Sequence, residues 1–111
     1  MLLTTAEGLV SSDDVMAHIN EEDQQRALGY RELIDATRAR TSLTAEQLRQ
    51  IIARVVTLMR TNQFGPTALV TNDDTLYGMA SMFAILSDLQ GGPHVGAFRN
   101  FDDALGWLVQ F

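Results

Sequence analysis

The stretch Thr67–Leu89, TALVTNDDTLYGMASMFAILSDL, constrains the fold of this chain more than any other. It opens on Ala68-Leu69-Val70, an apolar run too short for a helix, between Gly65-Pro66 and Asn72-Asp73-Asp74. Such a run reads as a strand, and its lack of polar positions suits a central parallel strand covered on both faces. Asn72 or Asp73 can cap the helix that follows by accepting from an orphaned backbone N–H. That helix carries one apolar stripe of Leu76, Met79, Ala80, Phe83 and Leu86 and a second of Met82, Ile85 and Leu89. A helix lying on one sheet needs a single stripe. The second stripe therefore calls for a further partner. Gly78, inside the helix, points to close packing, or else to a ligand, because glycine there costs about 1 kcal/mol against alanine.

The same strand–helix unit recurs along the chain. Met1–Val10 reads as a short edge strand. Ser11 with Asp14 forms a capping box, and Val10 with Val15 a hydrophobic staple, opening a helix from Ser12 to about Glu22 with Val15, Met16 and Ile19 inward. The acidic and amide run 21–25 reads as a solvated face or loop. Tyr30–Ala36 gives the second strand and 37–42 a loop. Thr44 with Gln47 is the strongest start signal, with Leu43 and Leu48 as its staple. The second helix is predicted from Ala45 to Asn62, with a stripe of Leu48, Ile51, Ile52, Val55 and Met59. Gly91-Gly92-Pro93 breaks the chain before a last strand, His94–Phe98. Asn100 then caps a final helix with Phe101, Ala104, Leu105, Trp107 and Leu108. Strands alternating with helices imply an α/β domain, a (βα)4 superhelix with a mainly parallel four-stranded sheet.

With 111 residues the chain is expected to be one domain. It has no cysteine, which excludes disulfide and thiolate chemistry. All 8 basic residues are arginine, so no lysine can form a Schiff base or serve a P-loop. The net charge of −6 argues against a nucleic-acid footprint. The first residues lack the basic and apolar regions of a signal peptide, and no apolar run is long enough to span a membrane. A cytoplasmic location is the expectation.

Five segments carry a family resemblance: Gly8 with Val10-Ser11-Ser12-Asp13; Arg31–Asp35; Thr44-Ala45-Glu46; Asn72–Ala80; and Val95–Arg99 with Ala104–Leu108. Together they resemble the small bacterial proteins of SpoIIAA-like, or STAS-domain, fold, over nearly the whole chain. The resemblance implies a non-enzymatic regulatory or protein-interaction module with a protein partner. Phosphorylatable members carry an Asp-Ser-x-Gly-like turn; the matching residues here are Asp35-Ala36-Thr37-Arg38, without the Ser-Gly. The start of the chain is also shorter by a strand than the resemblance implies, which would leave a sheet edge open.

Ligands of open α/β sheets bind beyond the carboxyl ends of the strands. That edge is expected to gather Asp35, Thr37, Arg38 and Arg40, then Thr71, Asn72 and Asp73, then Arg99 with Asn100. Arginines near helix N-termini suit an anion, so a phosphate, nucleotide or lipid-binding domain is the alternative function. The competing view makes Asp73 and Asn100 caps and the arginines solvated. Asp35, Asp73 and Asp74 resemble a receiver-type Mg²⁺ pocket, but the lysine such sites use is missing. His18 and His94 are assigned structural roles. No catalytic residue, metal or cofactor is expected. The second stripe, Met82, Ile85 and Leu89, is assigned to a homodimer interface, against the alternative that the last helix covers it.

Overall fold

The computed structural model describes Met1–Phe111. Its elements alternate as β1 (Leu2–Val10), α1 (Ser12–Gln24), β2 (Glu32–Thr41), α2 (Ala45–Leu58), β3 (Thr67–Val70), α3 (Asp74–Leu89), β4 (Val95–Phe98) and α4 (Phe101–Leu108). The four strands form one sheet in the order β1-β2-β3-β4, and every neighbouring pair is parallel. The α/β architecture read from the sequence is therefore present, with β1 at an edge.

The helix starts are fixed by side chains. Ser11 Oγ accepts from Asp14 N–H, and Asp14 accepts from Ser11 N–H. Thr44 and Gln47 form the same reciprocal pair. Asp73, rather than Asn72, caps α3 by accepting from Leu76 N–H at 2.8 Å, and Asn100 caps α4 through Asp103 N–H. The end of α3 is equally specific. Gly91 takes a φ of 68°, Gly92 N–H donates to Ser87 O at 2.7 Å, and Ser87 Oγ donates to Pro93 O. These are the left-handed residue and the satisfied carbonyl of a helix C-terminus.

Strand order equal to chain order has a topological consequence. Each right-handed crossover moves one strand over in the same direction, so α1, α2 and α3 fall on one face of the sheet. α4 covers the other face, where Ala104 and Leu108 pack with Leu33, Ala68 and Val70. Alternation along β3 separates the two layers. Ala68 and Val70 pack with Leu33, Ala104 and Leu108, whereas Leu69 packs with Ile34, Ala36, Ala39 and Leu76. The α4 layer is closed further by Phe98 and Trp107, whose rings lie 5.5 Å apart.

Several boundaries differ from the sequence reading. β2 runs to Thr41, so residues 37–41 are strand and not loop. Thr5 pairs with Asp35 and Glu7 with Arg38, so β2 spends three residues where β1 spends two. This bulge turns Ala36 and Ala39, three positions apart, to the same buried face. β3 ends at Val70, the partner of Asp35, and beyond it the β1–β2 ribbon continues alone. α2 stops at Leu58, not Asn62, and Leu58 rather than Met59 completes its buried stripe. The Asn62 side chain donates to Leu58 O and closes that end. Gly78 faces open space, so close packing does not explain it.

Candidate functional site

The two layers differ in how tightly they close. On the α4 face Leu108 and Val70 are essentially inaccessible. On the other face α1 buries none of its residues, and α3 buries only Leu76, Ala80 and Ser87. α2 on this face does bury Leu48, Ile51, Ile52, Val55 and Leu58, and α3 packs closely on β4, but a cavity of about 500 Å³ lies between the three helices and the sheet. Hydrophobic residues make up 19 of its 28 lining residues, so its character is apolar. Ile34, Ala36 and Leu69 form the sheet side; Val15, Ile19, Ile51, Val55, Met79 and Phe83 form the helix side. The small side chains of Ala36 and Ala6 on the strands leave the space that larger residues would fill.

The space opens to solvent, so it is a cleft between sheet and helices and not a closed void. The volume lies within the range of small-molecule sites.

One wall of the cavity is polar. Glu32 opens β2 on the cavity side and is 5% exposed. Its Oε2 accepts from Thr4 Oγ1 at 2.6 Å and lies 2.9 Å from His18 Nε2. The same nitrogen is paired with Glu22 Oε1, one helical turn along α1. Hydrogen bonds to Glu22 and then Glu32 push the His18 imidazole up to about 10, against the opposing effect of burial. Burial, together with the facing Glu32 carboxylate, raises Glu22. Burial also acts to raise Glu32, but the bonds from His18 and Thr4 outweigh it and leave Glu32 lowered. The donor atoms of all three residues lie within 4.8 Å of one another.

This cluster bears on two readings of the sequence. Run 21–25 is not simply a solvated face, because Glu22 is in α1 and turns inward with only 14% of its side chain exposed. His18, assigned only a structural role from the sequence, is the meeting point of two carboxylates. Two signals were available: His18 and Glu22 at i, i+4 share a helix face, and Glu32 shares the inward face of β2 with Ile34 and Ala36.

The strand-end residues are placed differently. Asp35 and Thr37 come together, with Asp35 Oδ1 accepting from the Thr37 hydroxyl at 2.7 Å and from its N–H at 3.1 Å. These bonds hold the Asp35 carboxyl below its ordinary range. Thr71, wholly buried, accepts from Asp73 N–H; Asp73 caps α3, and Asn72 is exposed. Arg99 pairs with Asp74 at 2.9 Å and lies over the Tyr77 ring at 4.0 Å. Arg38 and Arg40 lie on the β1–β2 ribbon opposite Glu7 and Leu9, and Arg38 approaches Glu7 at 4.0 Å. Arg38 and Arg40 are thus both on β2 and Arg99 follows β4, and two of the three lie beside acidic side chains.

Met82, Ile85 and Leu89 are 41%, 62% and 77% exposed. The last helix does not cover them, because it packs on the opposite face of the sheet. His94 stacks on Phe111, with ring centroids 4.8 Å apart. No helix is long and apolar enough to cross a membrane. Comparisons with protein-family models, curated proteins and solved structures give no match to this chain.

Proposed function

We propose that this protein is a small-molecule-binding domain that takes an apolar ligand between its sheet and helices α1, α2 and α3. The observation that carries this reading is the cavity of about 500 Å³ with its predominantly hydrophobic lining. Water is a poor occupant of such a space, since it finds few polar partners there. A ligand of lipid-like character satisfies the lining, and its polar end fits beside Thr4, His18 and Glu32. The site therefore lies under the helices and not at the arginine-bearing strand ends.

The test is a thermal-shift and native mass-spectrometry screen with fatty acids, fatty amines and sterol-like compounds. A ligand bound to the folded state raises Tm by mass action. Ala80→Leu, which puts bulk into the cavity wall, should raise Tm without ligand and abolish the ligand-induced shift. The reading fails if no compound shifts Tm, or if a compound shifts wild type and Ala80→Leu equally.

The exposure of Met82, Ile85 and Leu89 favours a second role, as a regulatory module of STAS-like type that works through a homodimer or a protein partner. A contiguous apolar helix face is unusual on a monomer, and a two-fold contact would set the patch against itself. Ligand occupancy and helix position are coupled in this reading, because α3 both lines the cavity and carries the patch.

A further inference from the structure

We propose that His18, Glu22 and Glu32 form a binding site for a divalent transition-metal ion of the Zn²⁺ class, through His18 Nε2 and one oxygen of each carboxylate. The inference does not depend on a ligand occupying the cavity. It begins from a mismatch in hydrogen-bonding capacity. A single nitrogen, His18 Nε2, faces Glu22 Oε1 and Glu32 Oε2 together. That nitrogen carries at most one hydrogen, which can point squarely at one acceptor only. Three lone-pair atoms converge on one point, and a cation satisfies all of them where a proton serves one.

Charge leads the same way. Two carboxylates, with side chains 14% and 7% exposed, face each other across the imidazole. A protonated His18 offsets one negative charge; a divalent ion with neutral His18 offsets both.

The geometry is within reach of coordination. Bond lengths of about 2.0–2.2 Å to imidazole and carboxylate require the three donors to spread to about 3.3 Å apart around the ion. They already lie within 4.8 Å of one another, so side-chain torsions suffice. His18 and Glu22 supply an i, i+4 chelate from one turn of α1, and β2 supplies the third ligand. Thr4 donates to the Glu32 carboxylate and thereby orients it, the role of outer-shell partners in metal sites. Three protein ligands leave a fourth position open, which is the arrangement of reactive zinc sites rather than of closed structural ones. Mixed imidazole and carboxylate donors suit zinc, iron(II) or manganese better than copper(I).

The experiment is equilibrium titration of chelator-stripped, full-length protein with Zn²⁺, against a chromophoric competitor, followed by ¹H–¹⁵N spectra of the histidine rings. One equivalent should bind, with the His18 ring nitrogens shifting and those of His94 unchanged. His18→Gln and Glu32→Gln should each weaken binding by more than about tenfold, and Thr4→Val by about tenfold; His94→Gln should leave it unchanged. Absence of stoichiometric binding to wild type at tens of micromolar Zn²⁺ overturns the proposal. So does binding that survives His18→Gln, or a shift at His94 in place of His18. The wild-type ring spectra decide the matter even if a variant fails to fold.

Discussion

Glu32 Oε2, at the start of β2, stands 2.9 Å from His18 Nε2 on α1, and this contact ties to the sheet a helix that buries none of its residues. Elsewhere α1 is held by Arg54 of α2, which donates two bonds to the Asn20 side chain. The apolar residues Val15, Met16 and Ile19 of α1 are only half-buried, so polar contacts carry a larger share of its docking than in a helix with a fully buried stripe. Glu32→Ala removes an acceptor and leaves Thr4 and His18 without it. Loss of a buried partner costs roughly 1–3 kcal/mol, and urea unfolding should report a change of that order. Amide exchange should show α1 opening first, well before α2 and β3. Equal loss of protection across all helices would refute the view that Glu32 serves α1 in particular.

Two glycines should respond to alanine in opposite directions. Gly78 lies within α3, is exposed, and an added Cβ would meet nothing within 4 Å. Gly78→Ala should stabilise by about 0.5–1 kcal/mol, through helix propensity and a less flexible unfolded chain. Gly65 precedes β3, and a Cβ there would collide with the Tyr30 carbonyl oxygen. Its N–H donates to Leu28 O at 2.9 Å, so the segments leading into β2 and β3 touch backbone to backbone. Gly65→Ala must push them apart and should destabilise. Thermal melts of the two variants on opposite sides of wild type are the expected result.

Asp35 makes the pH dependence of the strand ends testable. Its carboxylate accepts from the hydroxyl and then the backbone N–H of Thr37, and both hold it below its ordinary 3.8. A group whose folded value is depressed contributes stability that is present above the unfolded value and lost as pH falls through the folded one. The contribution should therefore be intact at neutral pH and fade from near pH 3.8 downward. Thr37→Val removes the hydroxyl bond and keeps the N–H, so the Asp35 carboxyl should titrate at higher pH than in wild type, though still below the ordinary value. Carbon-13 NMR of the side-chain carboxyl follows this directly. An unchanged midpoint would show that the hydroxyl has no part in the shift.

The elements were legible because local chemistry specifies them. Ser11 with Asp14 and Thr44 with Gln47 name their own helix starts, and Gly91-Gly92-Pro93 names an end. The bulge in β2 was not legible, since it depends on Thr5 pairing with Asp35 and Glu7 with Arg38 across a parallel register. Without that register, Thr37–Thr41 looks like a polar loop, and Arg38 and Arg40 seem to belong to a strand-end anion site. The cavity was hidden for a different reason. Periodicity showed that Val15, Ile19, Met79 and Phe83 face inward, but not how far their helices stand from the sheet. The His18–Glu22–Glu32 cluster joins a helix pair to a residue ten positions beyond it. Only the crossover from α1 to β2 brings these together, whereas the i, i+4 pair itself was in plain view.

The position of α4 bears on assembly. If α4 lay on the same face as α3, Trp107 and Leu105 would be available to cover Met82, Ile85 and Leu89. It lies instead across β3 and β4 on the far face, where Ala104 and Leu108 are buried. Nothing within the chain then shields the second stripe of α3, of which Ile85 is 62% and Leu89 77% exposed. Burying three such side chains between two copies would gain roughly 1.5–3 kcal/mol for each one fully covered, before the cost of association is subtracted. Methionine at one of the three positions suits a surface that must adjust to its own image. Light scattering at micromolar concentration should therefore give about twice the 12.3 kDa of the chain. Ile85→Asp should return it to the monomer mass with an unchanged circular dichroism spectrum, because an exposed position contributes within about 0.5 kcal/mol to the fold itself. A wild-type protein that scatters as a monomer at that concentration would remove the homodimer and leave the α3 face to a different partner.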